Sequence, residues 1–272
     1  MTISVVGTGS VASAAVAALA ASGHAVTVGL PPKGDGVGIV LSALDDDATL
    51  MDLVCSEDGL TASLGRGSTH VALGLHSAPT MTAVASAHAS AGQRFVAAPV
   101  LLHACESAGP VAVVAGPDGA LEPQDAIFEA LRVSVVRVGG QPETASILAL
   151  VHAALAGCAV QAMAEAFTLV RKYHVDPQVM HEVITDGLFG GSEVYRFHGA
   201  AMLDGTHNPG TLTVARALHM LDLVLDAADK THVPLPSLDA CRDRLLGAMA
   251  RGDGERNWTT LYREQSRASG LD

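Results

Sequence analysis

A glycine-rich segment near the N-terminus has the spacing that a dinucleotide-binding turn requires. It reads GTGSVA over residues 7–12, directly after the apolar run 3–6 and before an alanine-rich stretch that continues to Ser22. In such a turn Gly7 permits the tight bend, Gly9 lets the backbone approach a pyrophosphate, and the next helix N-terminus faces the phosphates. A plain structural turn is the alternative. We predict a dinucleotide site that includes Gly7, Thr8, Gly9, Ser10 and Val11.

The residues after the second predicted strand do not reveal which dinucleotide is bound. NAD sites usually carry an acidic residue there for the adenosine ribose, and NADP sites an arginine for the 2′-phosphate. This chain has GLPPK at residues 29–33, in which only Lys33 could meet a phosphate. The choice between NADH and NADPH therefore stays open.

The elements that must position this turn alternate between strand and helix up to about residue 140. Runs rich in β-branched residues, separated by alanine-rich stretches, span residues 3–6, 25–28, 37–41, 70–73, 95–96, 111–115 and 133–138. This alternation favours a mainly parallel sheet. After residue 140 the predicted elements are all helices, because the residue pattern has helical periodicity at residues 143–173, 176–185, 211–231 and 237–251. We predict an α/β protein with a Rossmann-type, doubly wound domain at residues 1–141 and an all-α domain at residues 142–272 that begins with a long interdomain helix.

Composition excludes several functional classes. The chain has 272 residues, a formal charge of −12 and no cluster of Lys or Arg, so nucleic acid is not an expected partner. Its four cysteines form no CxxC pair, which indicates a reducing, cytoplasmic location. Residues 145–164 are uncharged and long enough to span a bilayer, but they are alanine-rich and contain His152 and Gln161. We expect a buried helix and no membrane.

Several longer segments carry a family resemblance. GTGSVASAAVAALAASGHAVTV resembles a cofactor fingerprint, VLSALDDDATL at residues 40–50 a third conserved stretch, and FVAAPV at residues 95–100 the segment before a substrate motif. The family is that of the β-hydroxyacid dehydrogenases, which includes 3-hydroxyisobutyrate dehydrogenases and, as a divergent branch, imine reductases. The resemblance implies NADPH or NADH as cofactor, with Leu44 and Ser77 as further contacts. A helix, a strand and a further helix of the usual first domain look missing after the second strand.

The catalytic motifs depart from the dehydrogenase pattern. Leu101, Leu102 and His103 stand where the family has Ser-Gly-Gly, and Ala149 stands where dehydrogenases carry a catalytic Lys and imine reductases often an Asp. Alcohol oxidation needs a group that takes the hydroxyl proton, which alanine cannot do. A protonated iminium already accepts hydride and needs mainly orientation and exclusion of water. The departures favour a bulkier, less polar substrate such as a cyclic imine or an enone.

Three histidines and a tyrosine are the candidate acid–base groups. The resemblance places His103, His152 and His219 in the cleft between the domains, where imidazole titrates near neutral pH. Each could instead be a hydrogen-bonded structural residue. No HxxxH or HxxE spacing points to a metal site. Tyr195 could donate a phenol proton or simply pack, and Ser77 could contact the nicotinamide amide or cap a helix.

These observations predict an NAD(P)H-dependent reductase that transfers hydride to a cyclic imine or a similar unsaturated hydrophobic substrate. The resemblance implies a homodimer in which the helical domain of one chain completes the cleft of the other. A long helix from Glu143 that is apolar on nearly all faces agrees with this, because one small domain could not cover it. The alternatives are a cofactor-independent isomerase, cyclase or lyase that uses the same histidines, and a catalytically silent dimeric binding protein.

Overall fold

A parallel five-stranded sheet organises the first half of the chain. The structure is a computed structural model and describes residues 2–31, 36, 38–101, 109–120, 125–205, 207 and 212–271. The strands are β1 (Thr2–Gly7), β2 (Ala25–Val28), β3 (Ile39–Ala43), β4 (Thr69–Ala72) and β5 (Arg94–Ala97). They lie in the order β2-β1-β3-β4-β5, and every neighbouring pair is parallel. The predicted α/β fold class, with its parallel sheet, is confirmed.

A second, smaller sheet follows. It contains β6 (Val100–Leu101), β7 (Val111–Val114) and β8 (Ser134–Arg137), in the order β6-β7-β8. The β7–β8 pair is parallel, whereas β6 runs antiparallel to β7. The sequence analysis did not predict β6, because a two-residue strand is too short to show a periodicity.

Helices cover both faces of the larger sheet. They are α1 (Ser10–Ala21), α2 (Asp47–Cys55), α3 (Leu60–Ser63), α4 (Ala78–Ser90) and α5 (Asp125–Ala130). All five residues of β3 are buried. Ile39 and Leu41 join a core cluster that includes Leu19 of α1, whereas Val40 joins a second cluster that includes Val84 of α4. Burial on both faces is typical of a parallel sheet and explains why these strands lack polar alternation.

Strand β2 lies at one edge of the sheet. In the usual doubly wound dinucleotide fold another strand would pair with this edge. Among the described residues between β2 and β3, namely 29–31, 36 and 38, there is neither helix nor strand. Val28 at the end of β2 is 72% exposed. The edge position of β2 agrees with the predicted loss of a helix, a strand and a further helix.

The second half of the chain is helical. Its main elements are α6 (Pro142–Lys172), α7 (Pro177–Val183), α8 (Gly199–Asp204), α9 (Val214–Thr231), α10 (Pro236–Ala250) and α11 (Leu261–Ala268). Two π-helical turns, Ile184–Leu188 and Val194–His198, flank the loop between α7 and α8. Helix α10 packs against both α9 and α11.

The described residues divide into two compact units, with the division after Ala149 in α6. The long helix begins at Pro142, and the division falls about two turns later. By length and composition α6 could cross a membrane, and 44% of its most apolar 18-residue window is buried inside the protein. A core helix passes the same test, so this helix is weak evidence for a membrane span.

Candidate functional site

The turn after β1 has the backbone geometry that a pyrophosphate site requires. Gly7 ends β1 with φ of +138°, and a Cβ atom there would lie 2.2 Å from the carbonyl oxygen of Ala43 on the neighbouring strand. Gly9 has φ of +93°, and among the described residues no atom lies within 4 Å of the place where its Cβ would be. The two glycines therefore have different roles. Gly7 permits close strand packing, whereas Gly9 leaves open space above the turn.

The N-terminus of α1 is suited to an anion. Gly9 is its N-cap and supplies no side chain to accept a hydrogen bond, and the first turn has no acidic residue. Thr8 and Ser10 are exposed, while Val11 packs partly against the core. Exposed N–H groups at a helix N-terminus bind phosphate oxygens, so these residues fit the pyrophosphate of a dinucleotide cofactor.

The loops after β3 and β4 meet at the same edge of the sheet. Leu44 follows β3 and is half-buried, with its side chain packed partly against the core. A Cβ atom on Gly74, after β4, would lie 1.7 Å from the carbonyl oxygen of Leu44. The two loops are therefore packed backbone against backbone. In open α/β sheets, ligands bind outside the carboxyl ends of the strands, which is where both loops lie.

A hydrogen-bonded pair, His76 and Asp47, joins these loops to the next helices, and the His76 side chain is fully buried. Nδ1 of His76 lies 3.0 Å from Oδ1 of Asp47, the first residue of α2, and the backbone N–H of Ser77 donates to the same oxygen at 3.1 Å. Burial by itself would raise the pKa of Asp47, but the hydrogen bonds from His76, Ser77 and Thr80 outweigh it and hold that pKa below its usual 3.8. Asp47 is therefore a carboxylate at neutral pH.

Ser77 has a clear structural role. It is the N-cap of α4, where its Oγ accepts from the backbone N–H of Thr80 at 3.4 Å and donates to Oγ1 of Thr80 at 3.0 Å. The helix-cap interpretation of Ser77 thus describes the structure, and a contact with the nicotinamide amide stays a prediction. In the described part of the chain no group of three or more His, Cys, Asp or Glu side chains could hold a metal ion.

The predicted acid–base residues of the helical unit lie on three different elements. His152 is an exposed residue of α6, and His219 is a half-buried residue of α9. Tyr195 lies in the second π-helical turn, where its ring stacks on Phe189 with centroids 4.0 Å apart and planes 2° from parallel. Burial raises the pKa of Tyr195, so its phenol stays protonated at neutral pH. His103 lies outside the described residues.

Sequence reasoning missed the pairing of His76 with Asp47. The sequence analysis singles out neither His76 nor Asp47. A signal was available, because each residue comes a few positions after a buried strand, and carboxyl ends of neighbouring parallel strands meet at one edge. The sequence alone did not show which of the three consecutive aspartates would face the histidine.

A family model and two curated relatives match parts of this chain. Residues 144–264 match the model described as NAD-binding of NADP-dependent 3-hydroxyisobutyrate dehydrogenase. An uncharacterized oxidoreductase of Bacillus subtilis, YfjR, is 28% identical over 227 residues, which are 83% of this chain and 79% of that protein. L-threonate dehydrogenase of Escherichia coli K12 is 28% identical over 210 residues, 76% of this chain and 69% of that protein.

Solved structures share the fold. 3-Hydroxyisobutyrate dehydrogenase (ygbJ) from Salmonella typhimurium superimposes with a TM-score of 0.83 at 20% identity, covering 97% of this chain and 99% of that one. A reductive aminase from Aspergillus terreus, in complex with NADPH and ethyl levulinate, has a TM-score of 0.58 at 14% identity and covers 97% and 98%. The protein is an oxidoreductase with a nicotinamide cofactor, so the cofactor-independent and catalytically silent alternatives are not retained. The chain is similar to NADP-dependent 3-hydroxyisobutyrate dehydrogenases over residues 144–264, and it shares the fold of 3-hydroxyisobutyrate dehydrogenases and of imine reductases.

Proposed function

We propose that this oxidoreductase transfers hydride from NADPH or NADH to a cyclic imine or a similar unsaturated hydrophobic substrate. The observation that carries the proposal is Ala149, which is 2% exposed in α6 and stands where the family resemblance implies a catalytic lysine. A methyl group cannot take the proton of a hydroxyacid, whereas an iminium carbon accepts hydride without that base. The NADPH complex of the structurally similar reductive aminase supports the same choice.

A neutral imine needs one proton on nitrogen when hydride adds to its carbon, and in this proposal that proton comes from Tyr195 or from His103, His152 or His219. Tyr195 is favoured because its raised pKa keeps the phenol protonated and the stack on Phe189 holds the ring. Ser77 lies in the other unit and is assigned to the cofactor site.

The substrate class is tested by two assays on the purified protein. We expect NADPH or NADH oxidation with a five-membered cyclic imine and no reduction of NADP⁺ or NAD⁺ with 3-hydroxyisobutyrate or L-threonate.

Tyr195→Phe keeps the ring stack and removes the phenol proton, so we expect kcat to fall by about 10²-fold, the lower end of a general-acid contribution. Oxidation of either hydroxyacid at a comparable rate would contradict the imine proposal, and an unchanged kcat in Tyr195→Phe would exclude its role.

We also propose that the protein is a cytoplasmic homodimer built on α6. Exposed apolar residues recur on one side of this helix and at the residue that follows it: Val151 is 48% exposed, Leu155 68%, Leu169 60% and, directly after the helix, Tyr173 76%. At 100° per residue these four positions lie within about 40° of one another. Apolar side chains exposed on one side of a helix mark a protein interface, and a second copy of the chain supplies a matching set.

Light scattering tests the dimer. At micromolar concentration we expect twice the mass of the 27.7 kDa chain. Leu155→Glu should shift the mass toward that of a monomer, because a carboxylate would be buried in the interface without a partner. Leu246→Glu is the matched control, since Leu246 is also exposed (38%) but lies on α10. A monomeric wild type, or equal effects of the two variants, would contradict the proposal.

A further inference from the structure

The end of β2 is where a dinucleotide site usually reads the adenosine ribose. In doubly wound folds a residue about 20 positions after the glycine turn bonds the ribose 2′-hydroxyl of NAD or the 2′-phosphate of NADP. Because Gly9 lies in the turn, that position falls at the end of β2. The residues there are Val28, Gly29, Leu30 and Pro31. None of their side chains can donate or accept a hydrogen bond.

The backbone of Gly29 is already used within the sheet. Its N–H donates to the carbonyl oxygen of Val5 on β1 at 2.9 Å, and its carbonyl oxygen accepts from Oγ of Ser4. Gly29 also has φ of +103°, a conformation that strains any residue with a Cβ atom. Pro31 has no N–H to donate. Neither the side chains at the end of β2 nor the backbone of Gly29 can therefore hold a ribose.

The edge formed by β2 faces water and is apolar. Val28 is 72% exposed and Leu30 43%, and β2 is the first strand in the order β2-β1-β3-β4-β5. Residues 29–38 are the whole connection from β2 to β3. A crossover between two parallel strands usually takes a dozen residues or more, so this connection is too short for a helix, a strand and a further helix. It cannot supply the strand that usually pairs with this edge.

We propose that this protein binds its dinucleotide without reading the 2′ position of the adenosine ribose, so that NADH and NADPH bind with equal affinity. In sites that read this position, a charge-assisted hydrogen bond changes affinity about 10- to 100-fold. Without such a group at the end of β2, the 2′-hydroxyl and the 2′-phosphate both stay hydrated. The pyrophosphate turn and the rest of the cofactor site then carry the binding. The inference rests on the cofactor of the proposed function and not on its imine substrate.

Binding of the two reduced cofactors to the wild-type protein tests the proposal without a substrate. Nicotinamide fluorescence and calorimetry give both Kd values at about 0.15 M salt, which screens the extra phosphate from the chain's formal charge of −12. We expect the two Kd values to agree within about threefold. A larger preference for either cofactor would overturn the proposal, and so would absence of binding by both. Failure of the imine assay alone would leave it intact.

Lys33 is the one basic residue in the connection between β2 and β3, and it lies outside the described residues. A lysine that paired with the 2′-phosphate would strengthen the binding of NADPH and not of NADH. We expect Lys33→Ala to leave the ratio of the two Kd values unchanged. A selective rise in the Kd for NADPH would assign recognition of the phosphate to Lys33, and the proposal would be wrong.

Side chains introduced at Leu30 test where the ribose lies. We expect Leu30→Arg to lower the Kd for NADPH about fivefold and to change that for NADH less than about twofold, since an exposed ion pair is weaker than a buried one. Leu30→Asp should raise the Kd for NADPH by a similar factor. Leu246→Arg is the matched control, because it adds the same charge at an exposed position of α10 and should leave the ratio unchanged. Thermal midpoints check that the variants fold. Equal ratios in Leu30→Arg and Leu246→Arg would show that the ribose does not lie at the end of β2 and would overturn the proposal.

Discussion

Individual glycines determine how closely the loops of the cofactor edge approach one another. At Gly7 and Gly74 the space for a Cβ atom is already filled by backbone, 2.2 Å from the carbonyl oxygen of Ala43 and 1.7 Å from that of Leu44. A backbone obstacle cannot rotate away as a side chain can. These glycines are therefore needed for packing, whereas Gly9 is needed for an open approach to the turn.

Gly74→Ala tests this packing requirement. Its methyl group would force apart the loops after β3 and β4, so we expect the free energy of unfolding to fall by about 1–3 kcal/mol, the usual cost of overpacking. Gly38→Ala is the control, because no atom of the described residues lies within 4 Å of its Cβ position. Urea denaturation of both variants measures the difference. Equal stability of Gly74→Ala and the wild type would show that the loops yield without cost.

At the scale of the elements, the sequence predicted most strands and helices and missed a polar chain that links them. Nε2 of Gln93 donates to backbone carbonyls, including that of Leu64 at 2.8 Å, so its Oε1 accepts from Nδ1 of His88 at 2.7 Å. Nε2 of His88 then accepts from Nδ1 of His70 at 2.9 Å, and Nε2 of His70 accepts from Oγ of Ser42 at 2.8 Å. In this arrangement each histidine donates through Nδ1 and accepts through Nε2. Each ring therefore carries one proton and is neutral.

Periodicity could not reveal this chain, because its members meet only through tertiary structure. Ser42 and His70 come together through the register of β3 on β4, in which Val40 pairs with His70. His88 comes from α4, and its position depends on how that helix packs on the sheet. The glycine turn after β1, by contrast, is local in sequence, which is why its spacing was enough to predict it.

At the scale of the whole molecule, each unit carries buried histidines that resist protonation. Desolvation by burial lowers the pKa of His70 and His88 in the first unit and of His207 in the second, and it lowers that of His198 to about 4. In the unfolded chain these groups titrate near 6.5, so below that pH the unfolded state binds protons that the folded state does not. Both units should therefore lose stability as the solution becomes acidic.

We expect the free energy of unfolding to be level above about pH 7 and to fall as the pH drops from about 6.5 toward 5, by at most about 1.4 kcal/mol per pH unit for each buried histidine. Asp47 does not contribute in this window, because the stability that its lowered pKa provides is lost only below about pH 4.

His198→Phe keeps an aromatic ring beside Trp258, whose centroid lies 5.2 Å away, and removes one titrating group. Urea denaturation at several pH values should give a shallower slope for this variant than for the wild type. A wild-type stability that stays level down to about pH 5 would mean that the histidines are protonated within the fold, and the neutral, one-directional chain through His70 and His88 would then be wrong.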